Sequence, residues 1–145
     1  MADAAVLLDT DVFSALFGMP REMALKRGFP LDRWAEQLQG TRVTISFQTH
    51  AEVLAGALYG RWSDRRIGDM RARLDVTPTI DEDREVVEAF AELTAACKRS
   101  GLALHAKMHT GDRWVAACAI AKGLPLLSQD GIFAGAPGLS LFDRQ

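Results

Sequence analysis

Two short apolar runs stop on acids. Ala4-Ala5-Val6-Leu7-Leu8 leads into Asp9-Thr10-Asp11, and Leu124-Pro125-Leu126-Leu127 leads into Ser128-Gln129-Asp130. Short apolar runs bounded by turn-forming polar residues read as strands buried on both faces, as in parallel sheets. Between them the hydrophobic period changes to that of helices. Asp81 to Arg99 is the clearest case, with Val86, Phe90, Leu93 and Cys97 recurring at i, i+4, i+7 and i+11. Asp81 can cap it, Lys98 and Arg99 suit its negative end, and Gly101 stops it. Strands alternating with helices predict an α/β domain with a mostly parallel central sheet flanked by helices. Ligands of such sheets bind beyond the carboxyl ends of the strands. Asp9 and Asp130 therefore fall on one rim.

The remaining segments fill in this plan. Val12 to Phe17 reads as a short helix stopped by Gly18 and Pro20, and Leu31 to Leu38 as another stopped by Gly40. Arg42 to Phe47 is rich in β-branched residues and reads as a strand. A helix follows with Val53, Leu54, Ala57 and Leu58 as its apolar stripe and Glu52 in its first turn. Ser63 to Leu74 gives a further helix. Val76 to Ile80 contains Pro78, so it is an edge strand or an extended connector. Thr110 to Lys122 is a helix, and Leu139 to Phe142 a last short strand.

With 145 residues and no linker or repeat, one domain spanning 1–145 is expected. The net charge of -2 argues against a generally sticky, basic nucleic-acid binder. The longest apolar run, Trp114 to Ala121, has eight residues, far short of the ~20 a membrane span needs. Asp3, Asp9 and Asp11 precede the first basic residue, Arg21, so no secretory signal is expected. Cys97 and Cys118 sit in apolar helical patterns and read as buried, reduced thiols of a cytoplasmic protein.

Four acids stand out against apolar surroundings: Asp9, Glu52, Asp112 and Asp130. Each alone reads as a helix cap or a solvated turn. Gathered on one rim they would repel one another unless a cation sat among them. Hard divalent ions take oxygen ligands, and one or two such ions can activate water for an in-line phosphoryl displacement.

At these residues the chain resembles the PIN-domain family, and within it the VapC-like toxins of toxin–antitoxin pairs. Leu7-Leu8-Asp9-Thr10-Asp11 is similar to the family's opening motif. Thr44 to Ala57 resembles its strand-then-helix segment, with Glu52 and Gly56 in place. Gly111-Asp112 through Ser128-Gln129-Asp130 resembles its third and fourth acidic positions with the intervening Ala-rich helix. The resemblance runs end to end. It implies that Asp9, Glu52, Asp112 and Asp130 are catalytic and hold Mg²⁺ or Mn²⁺, with Asp9 central and Asp130 the weakest. Asp11 stands where Asn or Ser is common, and would either add charge to the site or cap the next helix. Thr10 and Ser128 would orient ligands or water, or serve as caps.

The resemblance further implies metal-dependent cleavage of single-stranded or loop RNA, leaving a 5′-phosphate and a 3′-hydroxyl. It implies a homodimer and a small antitoxin partner seated in an apolar groove of the early helices; Leu16, Phe17, Leu31, Trp34 and Leu38 would line it, or form a plain internal core. Such chemistry needs no histidine, and His50, His105 and His109 form no metal-binding spacing. Residues 61–75 carry a net charge of +2 and residues 76–100 a net charge of -3. Arg61 and Arg65 from the first stretch are candidate RNA contacts or part of a solvated face of i, i+4 pairs, and Lys107 and Arg113 near Asp112 are the better-placed candidates. Trp34 and Trp114 lie in apolar stripes and are expected to pack, which leaves Trp62 as the aromatic for RNA. Two other readings compete. One is a phosphatase of the haloacid-dehalogenase type, with Asp9 as nucleophile, Asp11 as general acid and no task for Glu52. The other is a PIN-like binding module without catalysis.

Overall fold

The computed structural model describes residues 4–142, so Asp3 and the outermost residues of the expected 1–145 domain lie outside it. The elements are β1 (Ala4–Leu8), α1 (Thr10–Phe13, continuing as a π turn over Ser14–Gly18), α2 (Arg21–Lys26), α3 (Leu31–Gln37) and β2 (Thr41–Ser46). They continue with α4 (Phe47–Tyr59), α5 (Asp64–Val76), β3 (Thr79–Ile80) and α6 (Arg84–Ser100). Two 3-10 turns, Ala103–His105 and Lys107–His109, lead into α7 (Thr110–Lys122), β4 (Leu126–Leu127) and a final 3-10 turn at Gly131–Phe133. The four strands form one parallel sheet in the order β3-β2-β1-β4. All four carboxyl ends therefore open on the same rim.

The central strand shows why the apolar runs do not alternate with polar residues. Val6 and Leu8 point into one core with Val12, Phe13, Trp34, Ile45 and Leu74. Leu7, between them, points into a second core with Val86, Leu93, Cys97, Val115 and Leu126. A strand covered on both faces needs apolar residues at every position. The helices α1 to α5 supply the first layer, and α6 with α7 the second. Cys97 and Cys118 are buried free thiols, and burial pushes the Cys118 thiol up to about 12. Among the described residues no helix is long and apolar enough to cross a membrane.

Several boundaries differ from the sequence reading, each for a local reason. Phe47 opens α4 instead of closing β2, because Ser46 Oγ accepts the Thr49 N–H at 3.0 Å and caps the helix there. Glu52 consequently lies in the second turn of α4, not the first. Asp83 caps α6 through the Val86 N–H at 3.0 Å, displacing Asp81 from that role. Leu139 to Phe142 does not form a strand and keeps only a bridge between Leu126 and Leu141. The α2 helix was not anticipated at all. At the end of α4, Arg61 takes a left-handed conformation (φ 54). Its N–H bonds to Leu58 O at 3.2 Å, and the Trp62 N–H bonds to Ala57 O at 3.2 Å. This is the Schellman arrangement, with arginine where glycine is usual.

Candidate active site

The site is built from four chain segments that meet at the carboxyl rim of the sheet. Asp9 follows β1 directly and is 6% exposed. Its Oδ1 accepts the Thr10 N–H at 2.8 Å and its Oδ2 accepts the Ser128 hydroxyl at 2.7 Å. Ser128 follows β4, which pairs with β1, so adjacent strands deliver acid and hydroxyl side by side. The Asp130 N–H donates to Ser128 Oγ at 3.0 Å, while Asp130 itself is exposed and accepts the Ile132 N–H at 2.9 Å.

Glu52 is held from two sides. Its Oε1 accepts the Thr10 hydroxyl at 2.7 Å, and its Oε2 accepts the Gln48 amide at 2.7 Å. Thr10 Oγ1 also lies 2.9 Å from Thr49 Oγ1. Since Thr10 donates its proton to Glu52, the fully buried Thr49 hydroxyl is the donor to Thr10. Asp112, in the first turn of α7, pairs through Oδ2 with His109 Nδ1 at 2.9 Å. Gly111 brings this turn against α4, where a Cβ would stand 2.8 Å from Gln48 Nε2 and 2.9 Å from Glu52 Oε2.

The acids feel one another. Burial pushes the Asp9 carboxyl up from 3.8 to about 6 against the lowering effect of Ser128 and Thr10, and Asp11 and Asp112 push it the same way. Asp11 is also raised, first by partial desolvation and then by Asp130, Glu52 and Asp112. Asp11 thus turns its charge toward this rim, while the cap of α1 is Asp9. A buried carboxylate with further acids beside it is what a divalent cation stabilises. Among the described residues no three His, Cys, Asp or Glu side chains already converge as a ligand set. Mg²⁺ keeps several waters and takes one or two carboxylates, so an all-oxygen rim of this kind suits a hard ion.

The candidate RNA contacts divide. Lys107, Arg61 and Arg65 are exposed. Arg113 is 6% exposed and faces inward, which corrects its expected phosphate role. Its Nη1 donates to Leu104 O at 2.6 Å and to Ala106 O at 2.8 Å, and its guanidinium lies 5.3 Å from the Phe90 ring centre. It fastens the 3-10 turns to α7. Trp34 is buried, and Trp114 stacks on Phe90 at 3.9 Å, while Trp62 stays half-exposed. Of the expected groove residues, Leu31 and Trp34 belong to the core. Leu16 and Leu31 also line a cleft with Ala15, Met19, Arg21 and Ala35.

Gln48, Thr49 and Gly111 were missed by the sequence reading. Gln48 stands four residues before Glu52 and His109 three before Asp112, so helical spacing alone carried a signal for both pairs. Nothing local marks Thr49 or Gly111.

A family model described as PIN domain matches residues 6–139. The ribonuclease VapC5 of Mycobacterium tuberculosis is 30% identical over 138 residues, covering 93% of this chain and 90% of that protein. Among solved structures, VapBC2 of Rickettsia felis bound to a promoter DNA fragment superposes with a TM-score of 0.71 at 20% identity, covering 94% of this chain and 96% of that one. VapBC-5 of Mycobacterium tuberculosis, from the VapBC family of toxin-antitoxin systems, gives 0.61 at 25% identity, covering 95% and 97%.

Proposed function

The chain belongs to the PIN domain family, and from that premise we propose that it is a metal-dependent endoribonuclease, the toxin of a toxin–antitoxin pair. The observation that carries this reading is the burial of Asp9 at the carboxyl rim of the sheet with Asp11 and Asp112 pushing its carboxyl up, while Asp130, Glu52 and Asp112 push up Asp11 beside it. The similarity to a ribonuclease along nearly the whole chain supports the same chemistry. Glu52 would be idle in a phosphatase built on Asp9. Its two hydrogen bonds, one of them to the residue after Asp9, favour the nuclease.

Asp9, Glu52, Asp112 and Asp130 would hold Mg²⁺ or Mn²⁺. When bound, such an ion activates water and stabilises the charge that develops on a phosphodiester under in-line attack. The chain's own part is positioning. Ser128 and the Thr10 amide fix Asp9, Thr10 and Gln48 fix Glu52, and His109 fixes Asp112. Lys107, Arg61 and Arg65 are exposed cations that would draw in the phosphate backbone of single-stranded or loop RNA. The solved relatives named for both toxin and antitoxin support a small antitoxin partner, and a homodimer is proposed with it.

Cleavage of a labelled RNA pool in Mg²⁺, in Mn²⁺ and in EDTA tests the reading, with Asp9→Asn and Glu52→Gln alongside. Cutting should require the ion and fall on the order of a hundredfold or more in both variants. Loss in Asp9→Asn with full activity in Glu52→Gln, on a phosphomonoester instead of RNA, would put the phosphatase in its place.

A further inference from the structure

A cleft of about 300 Å³ opens next to the acids, with Asp11, Glu52, Gly56, Trp62, Phe29 and Arg27 among its lining. That volume is at the small end of ligand sites, which run from about 300 to 1,000 Å³. Its lining combines aromatic surface, one cation and two carboxylates. We infer that this cleft receives one nucleobase of the RNA whose scissile phosphate lies at the acids, and so selects the nucleotide at one position beside the cut. The inference rests on the nuclease reading and adds a base-binding subsite to it.

Three observations point the same way. Two of the rim acids, Asp11 and Glu52, line the cleft, so a base in it would lie beside a phosphate held at the rim. A flat aromatic wall suits any base through its π-face. Trp62 is braced: the Arg66 guanidinium covers one face of its ring at 3.6 Å, and Arg66 Nη2 donates to O of Gly18, another lining residue, at 3.1 Å. Finally, Gly56 stands inside α4, where glycine is destabilising relative to alanine. A side chain there would meet no atom within 4 Å of its Cβ, so packing does not require the glycine. What the missing side chain leaves is the open space of the cleft.

The chemistry separates a base from the other occupants. A phosphate alone would be repelled by Asp11 and Glu52, and a purely apolar side chain would leave Arg27 and the carboxylates unused. A base offers a stacking face together with donors and acceptors on its edge.

The test reads the Trp62 indole N–H signal by NMR, assigned by Trp62→Phe. The probes are adenosine, guanosine, cytidine and uridine 5′-monophosphates, with ribose 5-phosphate as the base-free control. At least one nucleotide should shift the Trp62 signal with saturation, and ribose 5-phosphate should not. Gly56→Leu should weaken that nucleotide about tenfold by filling the cleft, the loss of one stacked base. Unmoved Trp34 and Trp114 signals would show that this variant is folded. Gly56→Ala, whose methyl is small, should keep most of the affinity. Equal shifts from ribose 5-phosphate, or undiminished nucleotide binding in Gly56→Leu, would overturn the subsite. If RNA is cut while no nucleotide shifts Trp62, the subsite fails and the nuclease stands. If neither cutting nor binding occurs, both fail.

Discussion

Asp9 gives up almost all of its hydration and gains only two hydrogen bonds in return, from the Thr10 amide and the Ser128 hydroxyl. Its folded-state pKa, about 6, lies above the ordinary 3.8. The folded protein therefore holds this proton more tightly than the unfolded chain does. The sign follows: the stability associated with Asp9 is fully present below pH 3.8 and is lost as pH rises through about 6. At pH 7 the ionised carboxylate weighs against folding by on the order of 2–3 kcal/mol in the absence of an ion. Asp9→Asn keeps the shape, since its amide oxygen can still accept from Thr10 and its NH₂ can donate to Ser128 Oγ. In EDTA at pH 7 the variant should be more stable than wild type by on the order of 2 kcal/mol in urea unfolding, and the gap should close toward pH 4. A variant that is less stable at pH 7 would mean that Asp9 is not strained by burial. Gly111 is the second sensitive residue. Gly111→Ala places a methyl where Gln48 and Glu52 now meet, and one of them must move. RNA cleavage should fall about 10- to 100-fold while the far-ultraviolet circular dichroism of the fold stays unchanged.

Elements explain which parts of this site could be read in advance. The acids at strand ends were legible, because an apolar run followed by a polar turn marks a strand end whatever surrounds it. Asp9 and Asp130 follow that logic. Thr49 was not legible: it is buried 39 residues from its partner Thr10, and only the parallel pairing of β1 with β2 brings the two hydroxyls together. Arg113 shows the opposite failure. Beside Asp112 in sequence it looks like a solvent-facing cation, but helical rotation carries it to the inner side of α7. There it binds two carbonyls from the turn before the helix. Arg113→Met keeps the aliphatic bulk and leaves the Leu104 and Ala106 carbonyls without that donor. It should destabilise the protein by about 2–3 kcal/mol in chemical unfolding. The salt dependence of RNA binding should not change, because a buried guanidinium releases no counterions from RNA. A changed salt slope with unchanged stability would return Arg113 to the RNA surface.

At the scale of the whole molecule, the rim acids come from both ends of the described chain. Asp9 leaves the first strand and Asp130 follows the last, yet both feel Asp11 or share Ser128. An ion held among them would tie the first and last segments of the fold, and would bind the folded state alone. Such linkage raises stability by about 2.7 kcal/mol at a hundredfold excess over Kd. For a domain of this size that is a rise in Tm of roughly 5–10 °C. Protons compete for the same carboxylate, so the rise should depend on pH in the sense opposite to the metal-free protein. As pH goes from 5 to 7, Asp9 loses its proton, ion-free stability falls, and the stabilisation by added Mn²⁺ grows. At pH 5 about nine-tenths of Asp9 would be protonated, which weakens the ion about tenfold and removes about 1.4 kcal/mol of the gain. Thermal unfolding with Mn²⁺ and with EDTA at pH 5, 6 and 7 measures this directly. The two curves should diverge with rising pH in wild type and stay together in Asp9→Asn. Parallel curves in wild type would show that the ion, if it binds, does so away from Asp9.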